Sequence, residues 1–207
     1  MKTALRVTTL ILLLAPLSVF AASGGGGYGG DRLESSAPRK SPEDIAASEY
    51  NDGLEYRDKA WEYEQESKLS EDEKKKDKLL KKALKSYRKA ADRFEKAVKH
   101  NPQLYQAWSA LGHALKKTGE YDESLAAYKK ALSINPDYHE AIEYQAEAHM
   151  AVHRFAEVKK AYARLVKEHT EYAGKLMQAI HEWLPKQDVS GNAELQAFSE
   201  WAKQQGT

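Results

Sequence analysis

Cysteine is absent from the 207-residue chain. That excludes disulfides, thiolate metal sites, a cysteine nucleophile and a lipidated N-terminal cysteine. Proline is scarce, at six residues, and the 42% hydrophobic fraction favours a folded, helix-rich chain over a disordered one. Neither sign of charge is in excess, with 32 Lys plus Arg against 31 Asp plus Glu, so no gross field draws the chain to nucleic acid. The glycine-rich stretch Gly24–Gly30 has no strand before it and no GK[ST] after it, so it is not a phosphate loop. No G-x-S-x-G and no H-E-x-x-H occurs, and the many carboxylates sit at helical spacing as surface charges. A non-enzymatic protein without cofactor or metal is expected.

Long apolar runs are also missing, apart from one near the start. Lys2 and Arg6 precede TLILLLAPLSVF, and Val19-Phe20-Ala21 offers a small-residue exit, so residues 1–21 read as a secretory signal cleaved after Ala21. Leu10 to Phe20 spans only 11 residues and contains Pro16, against the about 20 apolar residues a spanning helix needs. Residues 22–40 form a Gly/Ser-rich flexible linker. The expected address is periplasmic or secreted.

From residue 41 the chain is helical in pattern. Ser41-Pro42-Glu43-Asp44 caps a helix to about Ser67 whose narrow seam is Gly53, Tyr56, Ala60 and Tyr63. Ser70 to Glu73 reads as a capping box for a second helix with a stripe of Leu80, Ala83, Tyr87, Ala90, Phe94 and Ala97, ended by Asn101-Pro102. In the next stretch Trp108, Leu111, Ala114 and Leu115 share one face, as do Leu125, Tyr128, Ala131 and Leu132. Thr118-Gly119 breaks the chain between them, and Asn135-Pro136 stops the second helix. Gly112, with no side chain, lets the two helices cross closely.

Residues 105–138 thereby resemble one tetratricopeptide repeat, a 34-residue helix-turn-helix unit. Trp108, Leu111, Gly112, Tyr128, Ala131 and Pro136 carry the likeness, with Gly119 and Tyr121 at the turn. Stepping by 34 residues extends the pattern. Tyr87, Phe94, Ala97 and Pro102 precede Tyr121, Tyr128, Ala131 and Pro136, and Phe155 and Tyr162 follow. Gly53 matches Gly112, yet 34 residues separate Gly53 from Tyr87 against nine between Gly112 and Tyr121, a surplus of 25. Divided between two helices, the surplus makes a hairpin projecting about 18 Å further than its neighbours. The resemblance implies an all-α solenoid of about three repeats, at 41–104, 105–138 and 139–172, with C-terminal capping helices in 173–207. Those capping helices carry Leu176, Ile180 and Trp183, then Leu195, Phe198 and Trp201.

The same resemblance implies that the first helix of each repeat lines a concave groove for another protein or peptide segment. Its expected contacts are His113 and Lys117, then Glu140, Glu143, Tyr144 and Glu147, then Met177 and His181, with Tyr144 as the aromatic anchor. The terminal-carboxylate clamp of some family members does not carry over. Asn51 could fill one place, but Ala110 and His113 do not match the next, and Glu140 and Glu143 reverse the required charge. His113, Glu147 and His181 are each 34 residues apart, and a metal or small-ligand module built on that row is the competing reading. Helix axes 8–10 Å apart and Zn–N bonds of about 2.0–2.1 Å oppose their convergence on one ion. A third reading uses the Lys-rich stretch Glu71–His100, with 12 basic and 6 acidic residues, as a peripheral contact with a membrane or cell wall.

Overall fold

The computed structural model describes residues 40–205. The expected signal sequence, 1–21, and the expected linker, 22–40 apart from Lys40, lie outside the described residues. Eight α-helices follow in order: α1 (Pro42–Leu69), α2 (Glu73–His100), α3 (Tyr105–Thr118), α4 (Tyr121–Ile134), α5 (His139–Ala151), α6 (Phe155–Glu168), α7 (Thr170–Trp183) and α8 (Ala193–Gln205). A 3-10 turn, Leu184–Lys186, holds Pro185. No strand occurs among the described residues, and the architecture is an all-α solenoid of helical hairpins. Each helix packs on the next, and α1 on α3, α3 on α5 and α5 on α7 form a second row of contacts.

The central hairpin is closed by small residues at its crossing. A β-carbon on Gly112 would lie 2.9 Å from Cδ1 and Cε1 of the fully buried Tyr128. Ser124 fills the small site opposite, and its hydroxyl donates to the Gly112 carbonyl at 2.7 Å. Gly119 closes α3 with φ 91°, in the left-handed region that β-carbons disfavour. Trp108 Nε1 donates to the Pro102 carbonyl at 2.9 Å, tying the start of α3 to the Asn-Pro turn before it. One repeat later, His153 occupies the place of Gly119 at φ 58°, stacked 5.4 Å from Phe155.

The first hairpin differs in length and in the make-up of its seam. Both α1 and α2 run 28 residues, against 13 or 14 in the helices that follow. Ala46, Gly53, Ala60 and Ser67 are the buried residues of α1, and they recur every seven positions. Ala83, Ala90 and Ala97 do the same in α2, with Tyr87 and Phe94 between them. Such a period keeps one narrow stripe facing the partner helix along a gently supercoiled pair. Where the hairpin leaves the ordinary repeat length it has a small core of its own, Ala60, Ala83 and Tyr87 with Tyr63 against them.

Two local expectations are corrected here. Asp72, and not Ser70, caps α2, because its carboxylate accepts from the amides of Lys74 and Lys75 at 2.8 and 3.2 Å. Ser70 instead ends α1, its amide bonded to the Ser67 carbonyl. Leu79 is the buried leucine of α2 and Leu80 stands 46% exposed, a register shift of one residue at the open end of the seam. Ser41 caps α1 in a reciprocal box with Asp44. At the far end, α8 lays Leu195, Phe198 and Ala202 into the core formed by α5, α6 and α7.

Candidate functional site

Three helices present one polar-aromatic stripe each to a common cleft. From α1 come Tyr50, Arg57, Trp61 and Glu64, from α3 Gln106, Ser109, Ala110, His113 and Lys117, and from α5 Glu140 and Tyr144. Tyr87 and Tyr138 complete the lining of a cavity of about 370 Å³, within the range of ligand sites. The steps of three, four and seven residues along each helix are those of one helical face.

His113 sits at the centre of this lining. Its ring stands 5.9 Å from Tyr87, edge to face, and 5.1 Å from Tyr144. Burial, then the charges of Lys116, Lys117 and Arg57, hold its basicity well below that of a free histidine, so it is neutral at pH 7. Lys117 bridges to Glu64 at 2.7 Å and lies 5.4 Å from the Tyr87 ring centroid. The Tyr87 hydroxyl donates to Glu64 at 3.2 Å, and the Tyr138 hydroxyl donates to Glu140 at 2.9 Å. Burial and the neighbouring carboxylates push both phenols far above their usual range.

The sequence-expected contacts divide. His113, Lys117, Glu140 and Tyr144 meet in the cleft. Glu143 and Glu147 do not offer an acidic wall to a partner. Glu143 is buried, and burial with the hydrogen bond to Glu147 pushes its carboxyl up to about 9, so it keeps its proton at neutral pH. Burial alone would raise Glu147 as well, but the Lys116 ammonium that binds it holds it below the ordinary range. Lys116 also lies 4.9 Å from the Tyr144 ring centroid, so the whole cluster is knitted into the α3–α5 contact. Met177 belongs to the C-terminal core with Leu176 and Ile180, and His181 is exposed on α7 away from the cleft. The helical register places α7's apolar face, Met177 included, against its neighbours.

These placements dissolve the His113–Glu147–His181 row, and no group of three metal-ligating side chains comes together among the described residues. The Lys-rich helix keeps Lys74, Lys75, Lys78, Lys81, Lys82, Lys85 and Lys89 exposed. Although α2 carries 12 Lys or Arg against 4 Asp or Glu, it lies along α1, which carries 9 acidic and 3 basic residues. Sequence reasoning missed Tyr50, Arg57, Trp61, Glu64 and Tyr87. Their spacing along α1 was a readable signal for the first four, hidden because the seam, and not the groove, drew attention to that helix.

Comparison with known proteins bears on the central hairpin. A family model described as the tetratricopeptide repeat matches residues 105–138. Residues 105–138 of this chain are a tetratricopeptide repeat. The matched repeat is the one whose Gly112, Ser124 and Tyr128 make the close crossing described above. A search of curated proteins found no match. Among solved structures, the chain is similar to the TPR2B domain in its pHsp70 complex from yeast Sti1. That likeness has 20% identity, covers 74% of this chain and 97% of that one, and has a TM-score of 0.38. It carries no statement about the cleft.

Proposed function

We propose that this tetratricopeptide-repeat protein is a non-enzymatic adaptor that holds a segment of another protein in the cleft between α1, α3 and α5. Repeats of this family form a protein-interaction fold. The observation that carries the reading is the cleft itself, a cavity of about 370 Å³ in which five aromatic side chains stand among seven polar or charged ones. The adaptor acts outside the cytoplasm, in a bacterial envelope, a reading supported by Lys2, Arg6 and the short apolar run that follows them.

Photocrosslinking tests the first part. A benzoylphenylalanine at Ala110, in the cleft, should join the protein to a discrete partner in cells, and one at Lys130, exposed on α4, should not. Equal crosslinking from both positions would count against the cleft. Intact-mass measurement tests the second part: a mature chain beginning at Ala22 is expected, and retention of Met1 to Ala21 would overturn it.

A further inference from the structure

The charged groups that line the cleft are already engaged. Lys117 is held by Glu64 at 2.7 Å, and Arg57 donates through Nε and Nη2 to Asp58 Oδ1 at 2.9 and 2.7 Å. Glu140 accepts from Tyr138, and just behind the lining Lys116 and Glu147 satisfy one another. The unmet hydrogen-bonding atoms are neutral. Gln106 Oε1 and His113 Nδ1 are buried without a partner among the described residues, and both residues line the cleft. The two residues are seven apart, a rise of about 10.5 Å along the helix. A buried polar atom left unpaired is costly, so an incoming group that pairs with it gains.

The cleft also has an unusual lip. Trp61 is 61% exposed although it lines the cavity, and no hydrogen bond engages its indole N–H among the described residues. By register with α3, an ordinary first helix would end six residues past Gly53, near Lys59. Trp61 and Glu64 therefore stand on the extra length of α1, and the Glu64–Lys117 bridge holds that extension against α3. Large aromatic side chains of this kind carry much of the binding energy at interfaces.

We infer that the occupant of the cleft is an internal, uncharged peptide segment, anchored on Trp61 and hydrogen-bonded through neutral amide groups to Gln106 and His113. This rests on the adaptor reading above. A terminal carboxylate or acidic side chain would have to draw Lys117 from Glu64 or Arg57 from Asp58, exchanging one pair for another. A cationic segment meets the same obstacle at Glu64, and at Glu140 it would have to displace the Tyr138 hydroxyl. An uncharged chain breaks no pair and supplies amide groups, and three residues of extended chain span about 10 Å, comparable to the helical rise between Gln106 and His113. The rings of Tyr50, Tyr87, Tyr138 and Tyr144 supply apolar flanks.

Phage-displayed random dodecamers, fused through their C-termini and so lacking a free carboxylate, provide the probe. They are selected on the purified protein, and enriched sequences are synthesised both as acids and as amides for fluorescence anisotropy. Uncharged sequences should dominate. Acid and amide forms should agree within about twofold, and raising NaCl from 50 to 500 mM should weaken binding by less than about threefold. Trp61→Ala should raise Kd by about tenfold or more, with Trp61→Phe recovering part of the loss, and Gln106→Leu should raise it by about fivefold. Ala110→Trp, with helicity checked by circular dichroism, should fill the cleft and abolish binding.

Acidic sequences, a need for the free acid, a steep salt dependence or indifference to Trp61→Ala would overturn the inference. If Ala110→Trp still abolished binding, the adaptor reading would survive. Binding that ignores both Ala110→Trp and Trp61→Ala, or a selection that enriches nothing, would sink the two together.

Discussion

Replacing Gly53 by alanine sets two effects of opposite sign against each other. Alanine is better than glycine inside a helix by about 1 kcal/mol. Against that gain, the new β-carbon would lie 2.4 Å from Cε1 and 2.6 Å from Cδ1 of Phe94. Carbon atoms sit comfortably at about 3.5–4.0 Å, so more than an ångström must be found. The Phe94 ring is fully buried and has Tyr50 at 5.8 Å, so it cannot swing aside without moving α1. Overpacking of this sort costs about 1–3 kcal/mol, and this contact belongs at the upper end, leaving a net loss of about 2 kcal/mol. At Gly112 the corresponding contact with Tyr128 is 2.9 Å, and Gly112→Ala should lose less. Urea unfolding followed by helical circular dichroism should show the Gly53→Ala midpoint falling by about 1 M at unchanged slope. Phe94→Leu should partly rescue the variant, with a coupling of about 1–2 kcal/mol in the double-mutant cycle. A higher midpoint for Gly53→Ala, or strict additivity with Phe94→Leu, would show that the crossing is not set by the missing β-carbon.

Other expectations follow from the same contacts. Because Glu143 titrates at about 9 in the fold against 4.5 as its ordinary value, its contribution to stability is complete below 4.5 and is lost as pH rises toward 9. Glu143→Gln should flatten that decline, gaining on the wild type in urea midpoints between about pH 7 and 9, and parallel pH profiles would contradict the buried proton. Asp72→Ala should cost about 1 kcal/mol and fray the start of α2, while Ser70→Ala should stay within about 0.5 kcal/mol; the reverse order would restore the serine cap. Amide hydrogen exchange should be faster across residues 63–85 than across residues 107–131, since the hairpin's outer half rests on little more than Ala60, Ala83, Tyr63 and Tyr87. Equal protection of the two regions would contradict that account.

Much of the fold was legible because local chemistry and repeat spacing agree. Gly112, Gly119 and the Asn-Pro pairs each answer a backbone demand, and their 34-residue spacing joins the separate demands into one architecture. The length of the first hairpin followed from the displacement of Gly53 relative to Tyr87. The cap at Asp72 did not, because Ser70, Asp72 and Glu73 all have capping chemistry and only the geometry of the turn selects among them. The cleft was half legible. Helical periodicity places Gln106, His113, Lys117, Glu140 and Tyr144 on inward faces, but it is blind to which charges meet across helices. Lys116 with Glu147, and Lys117 with Glu64, are pairs between elements, and they convert two apparent binding charges into internal bonds.

The seven-residue seam of the first hairpin makes its reach a stepped quantity. Each residue removed from one arm turns the remainder by about 100°, so losing five would rotate the seam about 140° out of contact. Losing seven restores it to within about 20° and shortens the arm by about 10.5 Å. Since the arms run antiparallel, both must change together, and intermediate lengths would turn alanines outward and lysines inward. One such step off the tip would remove Glu64 and with it the partner of Lys117. A second would take Trp61 and Arg57 as well. The hairpin therefore acts as a notched ruler, and the groups that one wall of the cleft can offer change a whole notch at a time.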